Sequence, residues 1–297
     1  MRKEIEFCRD EMLDQAIYSE LARRERNAEV RELLKQFAEQ ELRHYEFWKE
    51  VAGDCGALDR AKLSYYLWLR RFLGLTFTLK LLERHEKETI EEYKNYLPHL
   101  PEEKRAQLLK MIEEEESHER SLIQSLAERE NAVKYLGFVA LGLADAIVEI
   151  TGVHAGFLGA TATTVVAGVA GLIVGVSAAI AMSGAAYLQA KHGGMEERLN
   201  PLVSAGVTGF AYIFAVLLLA LPYFLTHSMA AAFLASLAAA LLLIVSFTYY
   251  GSVVGEREFT RELLENVAIL LVTAIITYIF GVFVGEVTGI RAGGLHT

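Results

Sequence analysis

The apolar positions follow two regimes that meet near residue 132. Before it, apolar residues recur three and four apart among charged ones, as in "FAEQELRHYEFW" (37–48), the spacing of helices with one buried face. The pattern predicts helices over about 2–26, 28–52, 72–96 and 102–130. They are separated at "GDCG" (53–56) and "LPHLP" (97–101), where glycine and proline stop helices. The aromatic segment "LSYYLWLRRFLGLTF" (63–77), with Arg70 and Arg71, reads either as an interfacial helix on a membrane surface or as a bundle helix with a broad core face. Beyond residue 132, five apolar stretches, 135–158, 161–190, 201–224, 228–250 and 266–288, each reach the roughly 20 residues needed to cross a bilayer core of about 30 Å. The expected fold is all-α: a four-helix bundle over 1–131 that runs almost directly into a five-span membrane domain over 132–297.

Charge follows the same division. Residues 1–134 hold 24 Lys/Arg and 29 Asp/Glu, and residues 135–297 hold 5 and 9, so the balances are −5 and −4 and neither half has the basic stripe that nucleic acid requires. Loops after the second and fourth spans carry Lys191 and Arg198, and Arg257 and Arg261, whereas those after the first and third carry none. That bias puts the N-terminal domain in the cytoplasm and the C-terminus outside. The opening "MRKEIEFCRDE" is charged and does not read as a cleavable signal, so the expected location is the cytoplasmic membrane. Cys8 and Cys55 form no CxxC and suit a reducing compartment in which structural disulfides do not persist.

The chemistry of the first half lies in a repeat. Glu41 and His44 stand three apart and share a helix face. One ExxH pair in a glutamate-rich region means little, but "EEEESHER" supplies a second, Glu115 and His118, and the preceding helices each carry Glu-x6-Tyr, as Glu11 with Tyr18 and Glu86 with Tyr93. Two helical hairpins of one design would aim two glutamates and two Glu-x-x-His pairs at one point, the arrangement of di-iron and di-manganese carboxylate sites. Carboxylates and imidazoles suit iron and manganese, and burying so many acids without a cation would be prohibitive.

At these residues the sequence resembles the ferritin-like superfamily, in its rubrerythrin branch, across about 1–130. The resemblance implies Glu11, Glu41, His44, Glu86, Glu115 and His118 as di-iron ligands and Glu83 as an additional glutamate that exchanges with a ligand on redox change. Tyr18 and Tyr93 are then hydrogen-bond donors to the carboxylates or ordinary core tyrosines. The CxxC-bearing rubredoxin module of true rubrerythrins has no counterpart, which weakens a peroxidase reading.

In the membrane half, "GLADAIVEITGVHAGFLGA" places Gly142, Asp145, Glu149, Gly152 and Gly156 on one face within about 80°. Small residues let helices approach closely, and a charge within a span, costing at least about 2.5 kcal/mol, usually faces a pathway or a partner. The second span repeats the pattern with Gly168, Gly171, Gly175, Met182 and Ala186. Met182 is a packing residue unless it lies opposite Asp145, where a thioether beside a carboxylate favours Fe²⁺ over Mg²⁺. The stretches "GLADAIVEITGVHAG" and "AMSGAAYLQAK" resemble the vacuolar iron transporter family. That likeness implies a homodimer, Asp145 and Met182 along the metal route, and Fe²⁺ or Mn²⁺ leaving the cytoplasm in exchange for protons. Two features depart from the family: Ala186 stands where it usually has Glu, and "HGGMEERLN" is too short for the acidic insert of eukaryotic members. The fusion resembles prokaryotic membrane-bound ferritins.

The expected function is export of Fe²⁺ or Mn²⁺ with the bundle capturing, sensing or oxidising iron. The alternative is a membrane-anchored ferroxidase or peroxide-reducing enzyme. No GxxxxGK[ST] loop occurs, and Asp145 and Glu149 could bind either metal or protons, which would couple the two fluxes. The four glutamates of 255–266 read as a solvated helix end before a metal relay. His154, His192 and His227 receive no role, and Glu286 is a candidate to line an exit.

Overall fold

The computed structural model describes residues 3–127, 135–161, 163–192 and 199–289, with the backbone alone for 116–127. No strand occurs among them. The chain forms two compact units, Met1–Val133 and Lys134–Thr297.

The first unit contains α1 (Lys3–Arg24), α2 (Ala28–Ala52), α3 (Arg60–Leu73), α4 (Leu75–Tyr96) and α5 (Glu102–Ala127). Local chemistry sets several ends. Asn27 Oδ1 accepts from the backbone N–H groups of Glu29 and Val30 at 2.9 and 3.3 Å and starts α2, and Asp59 does the same for α3 at 2.9 and 3.0 Å. The 63–77 segment is not one element. Gly74 has φ +92°, a left-handed conformation that costs glycine little, and it divides α3 from α4, so the helix expected from 72 begins at Leu75.

The bundle core has two parts. Ile17, Leu21, Leu34, Leu79 and Leu82 close one end, and Phe7, Trp48, Tyr93 and Leu108 fill the other. Cys8 and Cys55 are disulfide-bonded, with Cα atoms 5.6 Å apart, which corrects the reading of them as unpaired thiols. The pairing of α1 with α2 brings residue 8 beside the loop after α2, a juxtaposition that a sequence separation of 47 does not reveal.

The second unit contains α6 (Leu136–Ala160), α7 (Thr164–His192), α8 (Pro201–Ala220), the short α9 (Pro222–Leu225), α10 (Met229–Gly255) and α11 (Phe259–Thr288). Five spans are long and apolar enough to cross a membrane, α8 and α9 together making the third. Large apolar side chains such as Ile173, Ile180 and Phe210 point outward, as they do when the surrounding solvent is lipid. Glycines set the spacing within. A Cβ on Gly281 would run into the Gly156 carbonyl, so α11 approaches α6 at backbone distance, and one on Gly175 would meet the Val216 side chain, which seats in the space that glycine leaves on α7. The last span starts at Phe259, seven residues before the expected 266. Arg257 pairs with Glu262 and Arg261 with Glu265, both at 3.1 Å, which lets this charged opening turn be helical.

Candidate metal centres

Between the two parts of the bundle core lies a band of acids. Glu11 from α1, Glu41 and His44 from α2 and Glu115 from α5 are all buried, and each offers a ligand atom within 4.8 Å of the others. His44 Nδ1 lies 2.7 Å from Glu115 Oε1, 3.5 Å from Glu41 Oε2 and 3.6 Å from Glu11 Oε2. It is aligned for a hydrogen bond with none of them, and Glu115 Oε2 is likewise buried without a partner. A lone pair that faces a common point among three carboxylates, and follows no single donor–acceptor line, is what a cation site requires.

The other face of the imidazole is fixed from outside. His44 Nε2 is 3.4 Å from Glu114 Oε2, and Lys110 Nζ is 3.5 Å from Glu114 Oε1. With its proton on Nε2, the ring donates to Glu114 and leaves Nδ1 free to ligate.

The two hairpins brace each other. Tyr18 of α1 donates to Glu86 Oε1 of α4 at 3.1 Å, and Tyr93 of α4 donates to Glu11 of α1. Glu83 is buried and Glu86 half-buried, and both stand outside the four-residue group, although Glu115, Asp14 and Glu83 all act on Glu86 electrostatically. The side chain of His118 lies outside the described residues.

Without a cation the acids cannot all ionise. Burial pushes Glu41 well above the ordinary carboxylate range, reinforced by the charge of Glu115, and burial raises Glu115 itself. Burial and the neighbouring acids raise Glu86 as well. Glu11 is the exception: burial works to raise it, but the neighbouring His44, together with the hydroxyl of Tyr93, outweighs that and holds it low. Burial works to lower His44, but its three carboxylate neighbours raise it. A divalent cation would replace the shared protons. The donor set of hard oxygens and one imidazole fits iron or manganese.

Two residues here escaped the sequence reading. Asp14 is buried one turn after Glu11, its carboxyl raised by burial and then by Glu11, Asp10 and Glu115. Glu114 directly precedes Glu115. Their counterparts under the repeat are Thr89 and Gln40, so comparing one hairpin with the other filters both acids out.

In the membrane unit, Asp145 is exposed on the single chain. Glu149, one turn further along, is half-buried and accepts a hydrogen bond from the Tyr212 hydroxyl of α8, a partner the sequence did not single out. The glycines of the same stretch meet different neighbours: Gly142 lies against the Thr208 backbone of α8, and Gly152 against Thr273 and Thr277 of α11. Met182 is part-buried, packed on a core that includes Ala146 and Tyr212. Ala186 is fully buried. His154 is also fully buried, its Nδ1 3.5 Å from Ser236 Oγ, its ring 4.0 Å from that of Tyr223, and its Nε2 without a partner. His192, His227 and Glu286 are exposed.

Two family models match the chain, Rubrerythrin over residues 7–126 and the VIT family over residues 188–282. Comparison with curated proteins and with solved structures returns no match. The first model spans the bundle residues that carry the acid band, whereas the second begins after Asp145, Glu149 and Met182. Acid band, five spans and the two matches agree: the chain is an integral membrane protein that fuses a ferritin-like, rubrerythrin-type metal-binding domain to a VIT family domain of membrane metal transport.

Proposed function

We propose that the chain exports Fe²⁺, and Mn²⁺ with it, from the cytoplasm across the cell membrane in exchange for protons, and that the bundle captures or senses the metal before transport. The observation that carries this reading is the pair of acids one turn apart inside α6, exposed Asp145 and Tyr212-bonded Glu149. Acids kept in a span at such cost serve an ion or a partner. Each can hold a cation or a proton but not both, which is the requirement for exchange. The exposure of Asp145 on one protomer supports a homodimer, in which a second copy supplies the far wall of the route. The lysines and arginines of the loops support a cytoplasmic bundle.

In the bundle, Glu11, Glu41, His44 and Glu115 would hold the metal, with Glu83, Glu86 and His118 completing a dinuclear site. Tyr18 and Tyr93 hold Glu86 and Glu11 in place, and Glu114 keeps the Nδ1 lone pair of His44 available. An iron pair bound there would supply redox chemistry toward oxygen or peroxide. Glu11, Glu41, His44 and Glu115 are themselves buried, which keeps bulk water from them.

The test is metal uptake into proteoliposomes with the bundle outside, under anaerobic conditions that keep iron reduced, with the lumen acidic or at the external pH. Uptake that rises with lumenal acid and acidifies the external medium supports exchange. A second reading, an anchored ferroxidase, draws on the buried ligand group alone. Oxygen consumption with Fe²⁺ and no metal uptake under either gradient would establish it and remove the transporter.

A further inference from the structure

Helix α3 differs from the bundle that carries it. Its fourteen residues include Arg60, Lys62, Arg70 and Arg71 and no acid, although residues 1–134 as a whole balance at −5. One face is committed to the bundle: Leu69 is buried, Leu63, Tyr66 and Leu67 pack on the core beneath, and Arg70 pairs with Glu25 at 2.9 Å. The opposite face is aromatic and open. Tyr65, Trp68 and Phe72 are 50%, 53% and 62% exposed, and the rings of Trp68 and Phe72 lie 4.9 Å apart. At 100° per residue the three fall within about 60° of one another, with Arg60 and Arg71 on one flank and Lys62 on the other.

We propose that this face of α3 docks on the anionic surface of the membrane that the chain itself spans. Tyrosine and tryptophan favour the headgroup level, where the ring is shielded and its polar atom stays wet. Basic residues beside such a stripe draw in acidic lipid. A second copy fits poorly, because a two-fold contact of α3 with α3 would bring together two faces flanked by Arg60, Lys62 and Arg71 with no acid on either helix to offset them. The proposal needs the spans and not transport, so it stands or falls separately from the exporter reading.

The chain has two tryptophans, and Trp48 is wholly buried, so quenching by external agents reports on Trp68. The full chain would be reconstituted in phosphatidylcholine vesicles with and without phosphatidylglycerol, the lipids brominated high on the acyl chain. The expected result is loss of most of the Trp68 emission to bromolipid, stronger with phosphatidylglycerol and absent in Trp68→Phe. The triple variant Arg60→Glu, Lys62→Glu, Arg71→Glu, whose sites all face solvent, should abolish the dependence on anionic lipid. Trp68 emission that ignores bromolipid but yields to aqueous acrylamide would overturn the proposal, since the face would then be in water. Emission insensitive to both would overturn it as well, because protein would then cover the face.

Discussion

His44 is the residue on which the bundle centre turns, since its Nδ1 is directed among three carboxylates and its Nε2 toward Glu114. If Glu114 orients the ring, Glu114→Gln should weaken metal binding by about 10- to 100-fold while leaving the thermal midpoint of the metal-free protein near that of the wild type. A calorimetric Mn²⁺ titration reads the first and a melting scan the second. Titration gives a second expectation for the metal-free chain. Asp14, Glu41, Glu86 and Glu115 are raised on folding, so the stability they contribute is full below their unfolded values of 3.8 and 4.5 and is lost as pH climbs through the folded ones. His44, raised from 6.5, acts in the same direction, and Glu11, held low, acts in the opposite one. The melting temperature should therefore fall as pH rises above about 4.5, and added Mn²⁺ should restore most at the alkaline end. At this scale the sequence was informative where chemistry repeats: the two ExxH pairs and the two Glu-x6-Tyr pairs are visible by their spacing. Asp14, Glu114 and Tyr212 were not, because a residue that acts through a neighbour on another helix leaves no periodic trace.

Among elements, the helices were legible wherever apolar spacing or a Pro and Gly signal marked them, and their ends less so. Gly74 lies within an unbroken aromatic run, and only its positive φ reveals a boundary there. Glu262 and Glu265 read as a solvated helix end outside the span expected from 266, and with their arginine partners they belong to one helix that begins at Phe259. Glycine spacing in α6 and α7 did foretell close approach, and Gly281→Ala tests it. A methyl group there has only the Gly156 backbone to displace, so α6 and α11 must separate, and the melting temperature in detergent should drop sharply while Gly184→Ala, which meets nothing within 4 Å, leaves it unchanged. In the bundle, the Cys8–Cys55 bridge closes a loop of 47 residues and should contribute about 4 kcal/mol by loop entropy. Reduction, or Cys55→Ser, should lower the bundle's melting temperature measurably.

In the proposed exporter, the whole molecule joins two ways of holding metal in one chain. The bundle buries its carboxylates behind an aromatic and aliphatic core, where a bound cation is held by many ligands. The membrane unit offers two acids and a tyrosine, few enough for an ion to leave. The division was plain from charge alone, because the density of charged residues collapses after residue 134. What stands beside Asp145 was not, because the acid is exposed on the single chain. The most direct test of the account is metal uptake by oriented proteoliposomes under a proton gradient, compared across the wild type, Asp145→Asn and the double variant His44→Ala, Glu115→Gln. The account predicts that Asp145→Asn abolishes flux while the bundle still binds metal, and that the double variant loses bundle binding yet keeps a reduced flux. Undiminished flux in Asp145→Asn would contradict it.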